Sequence, residues 1–215
     1  METVRQKIFK EYDPYLGLPV LASDMQGWAS ESTTFEEIII ELQPKLIIEV
    51  GTWKGCSAIH MAKTCIQHYK DFGIDYEDLE IICVDTFLGS VEHWVHDQGL
   101  LMKYVENGRP NIYQQFMSNV VASGLQKYIT PFPIDSLNAA EVLKKYDVLA
   151  DLIYIDAGHE YRSVRNDFIV YSELLREGGY LLGDDWQYQP VKDAANESFG
   201  EDKIIDKGEK FVWIK

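Results

Sequence analysis

Three aspartates follow two apolar segments that have the composition of buried parallel strands. Asp156 comes directly after residues 152–155, and Asp184 and Asp185 follow residues 180–182. Because the carboxyl ends of neighbouring parallel strands meet at one edge of a sheet, we expect these carboxylates to converge. Clustered carboxylates repel one another and raise their pKa values unless a cation is present. Oxygen ligands favour Mg²⁺, with Mn²⁺ or Ca²⁺ as substitutes, so the three residues predict a divalent-cation site, unless each acid caps the following helix.

A second stretch that could bind a ligand is a glycine turn between a predicted strand and a predicted helix. Residues 46–50 form an apolar, β-branched run, Gly51 and Gly55 follow, and helical spacing begins at Ser57. This arrangement brings backbone N–H groups close to a ligand at a helix N-terminus. The glycine spacing differs from the dinucleotide-binding and P-loop patterns. An acid within the strand end, Glu49, suits a cationic or hydroxyl-bearing ligand better than a pyrophosphate.

A further acid, Asp85, follows the next predicted strand, residues 81–84. It lies 30 residues after Gly55, which is enough for one helix and a return loop. An acid at such a strand end can accept hydrogen bonds from both hydroxyls of a ribose. The alternative for Asp85 is a helix cap.

Residues 49–55, Glu-Val-Gly-Thr-Trp-Lys-Gly, resemble motif I of class I S-adenosylmethionine-dependent methyltransferases. Residues 81–85 resemble the second strand of that fold with its terminal acid. Residues 151–161 and 178–186 are similar to a subgroup that includes metal-dependent small-molecule O-methyltransferases and cephalosporin-hydroxylase-like proteins. The resemblance covers residues 46–186 and implies an α/β, Rossmann-like methyltransferase fold. Its sheet would have seven mostly parallel strands and a C-terminal antiparallel hairpin, with helices on both faces.

The resemblance also implies roles for individual side chains. It implies S-adenosylmethionine as cofactor, and Mg²⁺ or another divalent cation held by Asp156, Asp184 and Asp185. In related methyltransferases the loop after the third strand borders the adenine, so Asp135 and Ser136 are candidate adenine contacts, although either could instead cap a helix. The candidate cofactor contacts are Glu49, Gly51, Thr52, Trp53, Gly55, Ser57, Asp85, Thr86, Asp135, Ser136 and Asp156.

The implied reaction is methyl transfer to a hydroxyl of a sugar, a glycoside, or another polyol or phenol. It needs the acceptor oxygen deprotonated, aligned and close to the methyl carbon. A metal ion that holds vicinal hydroxyls aligns them and lowers the pKa of the acceptor. Asp156 and His159 are the candidate catalytic residues. His159, with an unperturbed pKa near ~6.5, would be the base, and the alternative is a loop histidine that bonds to backbone.

Two segments are expected to cover the acceptor as a lid. They are residues 26–28 and the long segment 89–110, both of which contain glycine and tryptophan. Trp28, His93 and Trp94 are the candidate acceptor contacts, because rigid aromatic surfaces stack on sugar or aromatic rings. The alternative is a packed surface loop or an oligomer contact.

Two other functions fit the same residues. One is an oxidoreductase of the hydroxylase-like subgroup, which would need a redox metal or a partner subunit; the sequence has no 2-His-1-carboxylate spacing. The other is a non-catalytic protein that binds S-adenosylmethionine.

Composition limits the class of protein. The 215 residues predict a single domain, residues 1–215, with residues 1–45 as a helical and loop segment before the core. A net charge of −15 and a pI of about 4.7 argue against nucleic acid or an anionic membrane as partner. The three cysteines lack metal-like spacing, and neither a signal peptide nor a membrane-spanning run is recognisable. We expect a cytoplasmic protein, and a homo-oligomer is left open.

Periodicity and turn residues predict the remaining elements. We expect helices at residues 1–10, 32–42, 111–123, 162–175 and 191–199, another helix that begins at Asp135 or Ser136, and strands at residues 128–133, 203–206 and 209–214. Gly178 and Gly179 are expected to end the fourth of these helices, and the last two strands are expected to form a hairpin at Lys207 and Gly208.

Overall fold

The computed structural model describes residues 2–28 and 30–215; Met1, at the start of the first predicted helix, and Ala29 lie outside these ranges. The strands of the described chain are β1 (Leu46–Val50), β2 (Glu80–Val84), β3 (Val105–Glu106), β4 (Arg109–Pro110), β5 (Ile129–Phe132), β6 (Ala150–Ile155), β7 (Leu175–Gly183), β8 (Ile204–Asp206) and β9 (Phe211–Ile214). β3 and β4 form a small antiparallel pair, and the other seven strands form one sheet.

The main sheet has the strand order β5-β2-β1-β6-β7-β9-β8. The first five strands in this order run parallel, and β9 runs antiparallel to both β7 and β8. The closing hairpin turns at Lys207 and Gly208, where the Lys207 N–H donates to the Lys210 carbonyl at 2.9 Å. The predicted seven-stranded sheet with a C-terminal antiparallel hairpin is thus confirmed. The central strands β1 and β6 are buried on both faces, which explains their nearly continuous apolar sequences.

Helices cover both faces of the sheet, as predicted. They are α1 (Val4–Phe9), α2 (Thr33–Leu42), α3 (Cys56–Phe72), α4 (Val91–Val95), α5 (Gln98–Leu101), α6 (Ile112–Ala122), α7 (Ser136–Lys145), α8 (Tyr161–Glu173) and α9 (Gln189–Phe199). The apolar residues of α2, α3 and α6 form one core with the sheet, and those of α1, α7, α8 and α9 form a second core on the other face. Within the described ranges, the helices all lack the length and apolar content that a membrane crossing requires.

The segment around Gly178 and Gly179 differs from the prediction. Helix α8 ends at Glu173, Leu175 begins β7, and both glycines lie inside this strand rather than after a helix. The pairing of β6 with β7 is irregular here, and Gly178 has a left-handed backbone with φ of +71°. A Cβ atom on Gly179 would lie 2.9 Å from two backbone carbonyl oxygens. The glycines therefore permit a bulge within a continuing strand.

Residues 86–110, predicted as a long loop, contain several short elements. α4, α5, a 3₁₀ turn at Met102–Tyr104 and the β3–β4 pair follow one another without a long irregular stretch. Leu101 is fully buried and anchors this segment to the core formed by α2, α3 and α6. The segment therefore consists of short elements packed against the core rather than a long irregular loop.

Candidate active site

A cavity of about 930 Å³ opens at the carboxyl ends of β1, β2, β6 and β7. The chain proceeds from β1 outward to β2 and β5, and then returns to place β6 on the other side of β1. Open α/β sheets bind ligands where the strand order reverses in this way. The predicted site residues that line the cavity are Trp28, Gly51, Thr52, Trp53, Ser57, Asp85, Thr86, His93, Asp135, Ser136, Asp156, His159, Asp184 and Asp185. The other three, Glu49, Gly55 and Trp94, are not among the described lining residues.

Asp85 fastens the glycine turn to the end of β2. Its Oδ2 accepts hydrogen bonds from the N–H groups of Thr52 at 3.0 Å and Trp53 at 2.9 Å, and its Oδ1 accepts one from Phe87 N–H at 2.7 Å. Burial raises the pKa of Asp85, although these three N–H groups oppose the shift. Each carboxylate oxygen has two lone pairs, so the side chain can position the turn and still accept a hydroxyl from the cavity.

Glu49 lies beneath the glycine turn rather than in the cavity, which corrects the expectation that it contacts the cofactor. It is fully buried, and its two oxygens accept hydrogen bonds from the hydroxyls of Thr52 and Ser57. Burial raises the pKa of Glu49 to about 7, against the lowering effect of those hydroxyls. Because Thr52 and Ser57 do line the cavity, Glu49 positions two lining residues without reaching the ligand space itself.

The two glycines of the turn are required by packing inside the protein. Gly51 has φ of +84°, and a Cβ atom there would lie 2.0 Å from the backbone oxygen of Asp156. Gly55 has φ of +82°, and a Cβ atom there would lie 2.7 Å from the ring of Phe116. A larger residue at position 51 would therefore push β1 away from β6, so such a substitution reports on folding as much as on space for a cofactor.

The three predicted carboxylates do converge, but one of them, Asp184, is paired with Lys210. The Tyr154 hydroxyl lies 3.0 Å from Asp156 Oδ2 and 2.5 Å from Asp184 Oδ2. The Lys210 ammonium group, which is 1% exposed, donates to Asp184 Oδ2 at 2.6 Å and to the Tyr154 hydroxyl at 3.2 Å. Burial and the nearby charges of Asp184 and Asp185 raise the pKa of Asp156 well above its usual range. Ionisation of all three carboxylates would therefore give the cluster more negative charge than Lys210 alone balances.

The group of side chains that could hold a metal ion consists of Asp156, His159 and Asp185. One ligand atom from each lies within 4.8 Å of the others. Among the described residues, Asp184 falls outside this group because its carboxylate faces Lys210, which corrects the expected set of three aspartates. Two carboxylates, with water completing the shell, suit Mg²⁺ or Mn²⁺, and the imidazole adds a nitrogen ligand when it is neutral.

His159 is held between two acids rather than left as a free base. Its Nε2 lies 2.6 Å from Asp185 Oδ2, and its Nδ1 lies 3.1 Å from Glu92 Oε2. The hydrogen bond with Asp185 raises the pKa of His159 to about 9, although burial opposes the shift. The imidazole therefore carries its proton at neutral pH, in contrast to the expectation of an unperturbed general base.

This raised pKa predicts a pH dependence of stability. A histidine whose pKa is higher in the folded than in the unfolded protein stabilises fully below about 6.5, and that stabilisation disappears as pH rises through about 9. In chelator, wild type should lose stability relative to His159→Gln between these pH values, measured by thermal unfolding. His96→Gln is the control, since His96 has no ion pair in the described chain. A gap between wild type and His159→Gln that persists unchanged at pH 10 would contradict the assignment.

Asp135 is confirmed as a helix cap, whereas the contact of Asp135 and Ser136 with adenine stays a prediction. Asp135 is the N-cap of α7, and its oxygens accept from Asn138 N–H at 3.0 Å and Asn138 Nδ2 at 2.7 Å. Both residues also line the cavity. Capping thus fixes the start of α7 at the edge of the ligand space.

An aromatic wall made of Trp28, Trp53 and His93 forms one side of the cavity. Trp53 and His93 stack with ring centroids 4.3 Å apart and planes 11° apart, and Trp28 lies 5.7 Å from His93. Burial lowers the pKa of His93, which favours its neutral form. Trp94 points elsewhere: its Nε1 donates to the Leu88 carbonyl at 3.0 Å, which corrects its expected contact with the acceptor.

The segment that carries Trp28 is anchored firmly to the rest of the domain. Lys54, 1% exposed, donates to Asp24 Oδ1 at 2.8 Å and to the Tyr104 hydroxyl at 3.0 Å. Although burial acts in the other direction, these contacts lower the pKa of Asp24 to about 2. Asn119 accepts from Asp24 N–H at 3.0 Å and donates to the Asp24 carbonyl at 2.7 Å. These contacts anchor the segment at Asp24, four residues before Trp28, and the role of residues 26–28 as a lid stays a prediction.

Three buried polar residues of this region were not foreseen from the sequence: Lys54, Lys210 and Asp167. Their partners are distant in sequence, as with Lys210 and Asp184, which are 26 residues apart. For Asp167 a signal did exist, because it occupies the inward stripe of α8 between two apolar positions, Val164 and Phe168. A carboxylate on the buried face of a helix is unusual, because aspartate is rarely buried in folded proteins unless it is paired.

A protein-family model matches more than half of the chain. The family described as "Methyltransferase domain" matches residues 48–186. A curated relative, the uncharacterized protein R132 of Acanthamoeba polyphaga mimivirus, is 43% identical over 37 residues. That match spans 17% of this chain and 17% of the relative's length.

Solved structures resemble the whole domain. An O-methyltransferase from Bacillus cereus in complex with SAH has a TM-score of 0.58 and 14% identity, over 100% of this chain and 92% of that chain. The O-methyltransferase TomG from Streptomyces achromogenes, involved in tomaymycin synthesis and solved with SAM, has a TM-score of 0.59 and 13% identity, over 98% of each chain. At these identities the matches establish the fold, which agrees with the predicted Rossmann-like methyltransferase architecture.

Proposed function

Because this chain belongs to the methyltransferase-domain family and is therefore a methyltransferase, we propose that it is an S-adenosylmethionine-dependent O-methyltransferase of small molecules. The observation that carries this proposal is one continuous cavity that joins the glycine turn and Asp85 to the cluster of Asp156, His159 and Asp185. A cofactor and an acceptor can therefore meet inside it. The structures solved with SAH and SAM, although distant in sequence, support the choice of cofactor.

The turn and its neighbours have the chemistry to hold S-adenosylmethionine. α3 begins after Gly55 with no side-chain cap, so the N–H groups of its first turn are available to a carboxylate. Asp85 offers acceptor lone pairs for ribose hydroxyls, and Asp135 and Ser136 border the far end of the same cavity. When bound, S-adenosylmethionine supplies an electrophilic methyl group on a sulfonium centre.

The donor chemistry also fits a divalent cation, for which Mg²⁺ is our proposal and Mn²⁺ an expected substitute. Asp156 and Asp185 would hold it, and His159 would join them once its imidazole has released its proton. The raised pKa of Asp156 reflects how unfavourable a further negative charge is here without a cation, and this is the reason to expect one. A divalent cation would supply Lewis-acid activation of an acceptor hydroxyl.

The proton of the acceptor hydroxyl needs a base of this chain. Asp156 is the better candidate, because it lines the cavity and its Oδ2 is the oxygen that Tyr154 contacts, which leaves Oδ1 to accept a proton. His159 already holds its proton between Asp185 and Glu92. We propose that Asp156 accepts the proton at a carboxylate oxygen and that His159 orients Asp185.

The lining favours an acceptor without an anionic group. Among the described lining residues, Lys54 is the single lysine or arginine, and its ammonium group forms an ion pair with Asp24. A phosphate or carboxylate on the acceptor would find no unpaired lysine or arginine in the described lining, and several acids. The wall of Trp28, Trp53 and His93 suits stacking on a ring. We therefore propose a hydroxyl of an uncharged or amine-bearing sugar or phenol as the methyl acceptor.

Calorimetry and methyl transfer together test this function. S-Adenosylmethionine should bind the purified protein, and labelled methyl should pass to catechol or to a methyl glycoside in the presence of Mg²⁺ and far less in chelator. Absence of cofactor binding would refute the proposal. Binding without transfer to any such acceptor would favour a non-catalytic S-adenosylmethionine-binding protein.

Trp28 offers a specific prediction about the acceptor. Trp28→Ala should raise KM for the acceptor about tenfold, because stacking on a tryptophan contributes on the order of 1 kcal/mol or more, and should leave cofactor affinity unchanged. Trp94→Ala is a matched control, since the two tryptophans are 52% and 41% exposed but Trp94 does not line the cavity in the described structure. Equal effects of the two substitutions on KM would contradict the placement of the acceptor.

A further inference from the structure

Asp167 is a buried carboxylate to which the proposed reaction gives no role. It lies on α8 in the inward stripe that also contains Val164, Phe168 and Tyr171, and it is 4% exposed. Burial raises the pKa of Asp167 to about 6. Burying a carboxylate away from any cation is costly, and a merely structural position on this helix face would be filled more stably by an apolar residue.

The surroundings of Asp167 leave most of its hydrogen-bonding capacity free. None of the ion pairs among the described residues includes it, and the Ser136 hydroxyl is the neighbour that favours its charged form. The nearby Asp135 adds a repulsive charge, and its own oxygens are already used to cap α7 through Asn138. Asp167 does line the cavity. It thus presents acceptor lone pairs to the ligand space with no protein donor that saturates them.

The position along the cavity indicates which ligand group would meet this carboxylate. The end near Asp156 and Asp185 is the reaction centre of the proposed function, and the glycine turn with Asp85 suits the amino acid and ribose portions. The end formed by Asp135, Ser136 and Asp167 is then left for the base. An adenine carries an exocyclic amino group, which is an N–H donor, whereas a 6-oxo purine presents an acceptor at the same place.

We propose that Asp167 accepts a hydrogen bond from the exocyclic amino group of the cofactor's adenine and so selects adenine over a 6-oxo purine. This inference rests on the proposed function, because it takes S-adenosylmethionine as the ligand. It makes Asp167 a binding residue with a defined preference. A hydrogen bond to a charged group contributes enough for about a ten- to hundredfold preference, and a 6-oxo group would in addition face the carboxylate lone pairs.

Binding of two product analogues tests this role without any acceptor. Wild type should bind S-adenosylhomocysteine about ten- to a hundredfold more tightly than S-inosylhomocysteine, measured by calorimetry. Asp167→Leu keeps the branched shape but has no hydrogen-bond acceptor, so it should weaken S-adenosylhomocysteine binding and bring the two affinities toward parity. Asp71→Leu, at an exposed aspartate in the last turn of α3, is the matched control and should preserve the wild-type preference.

The possible failures have different meanings. If wild type binds neither analogue, the proposed function itself fails, and this inference with it. If wild type binds both equally, or if Asp167→Leu retains the full preference for adenine, the function stands and the role of Asp167 is overturned. Should Asp167→Leu fail to fold, Asp167→Ala gives the same test, since it also lacks an acceptor and must lose the preference for the 6-amino group.

Discussion

Asp185→Ala should reduce methyl transfer by about a hundred- to a thousandfold and remove its dependence on Mg²⁺. Asp185 belongs to the group that could hold a metal ion, and its Oδ2 also lies 2.6 Å from His159 Nε2. The substitution would thus remove a ligand and release the imidazole that orients it. Loss of an assisting divalent cation costs several kcal/mol of transition-state stabilisation, which corresponds to the stated factor.

Separate measurements distinguish this loss from a loss of the fold. Asp185→Ala should keep its affinity for S-adenosylhomocysteine, because the glycine turn and Asp85 are unchanged, while Mn²⁺ binding followed by paramagnetic resonance should disappear. Asp193→Ala is the control: this aspartate lies on α9, accepts a hydrogen bond from Gln189 at 2.8 Å and does not line the cavity in the described structure. Undiminished, Mg²⁺-dependent activity in Asp185→Ala would show that the cation is not held at this cluster.

Sequence patterns predicted the sheet well because each of its strands has a local signature. Apart from Glu49, the run Leu46–Val50 and the segment 152–155 lack charged residues because both faces of the sheet are covered. The turn at Lys207 and Gly208 marks the closing hairpin. The prediction was wrong around Gly178, where a glycine pair usually ends a helix. There the pairing of β7 with two neighbouring strands outweighs the local preference of the glycines.

The sequence predicted where the site lies but not which of its carboxylates are paired with a lysine. Asp156, Asp184 and Asp185 come together because strand ends meet, which sequence order alone can indicate. Whether each carboxylate is free or paired depends on Lys210, which enters from the antiparallel strand end on the far side of β7. The same holds for Lys54, whose partner Asp24 lies 30 residues away. Long-range pairs of this kind follow from the register of the folded chain and have no local pattern.

Lys210→Met should lower the free energy of unfolding by about 3–5 kcal/mol. The ammonium group and the Asp184 carboxylate form a buried ion pair at 2.6 Å, with side chains 1% and 8% exposed. Methionine preserves the length and most of the volume of lysine but leaves Asp184 buried without a cation, next to the carboxyl group of Asp156. The expected loss is therefore mainly the cost of an uncompensated buried charge. Urea unfolding in the presence of chelator measures it.

A surface pair and a double substitution show whether burial of charge is the cause. Lys144→Met removes the partner of Glu173, but both side chains of that pair are more than half exposed, so the expected loss is about 0–1 kcal/mol. Adding Asp184→Asn to Lys210→Met removes the unpaired charge and should restore most of the lost stability, because the two residues act as one unit. If the double variant is as unstable as Lys210→Met alone, lost packing against Phe35 and Tyr154 rather than charge accounts for the effect, and the electrostatic explanation fails.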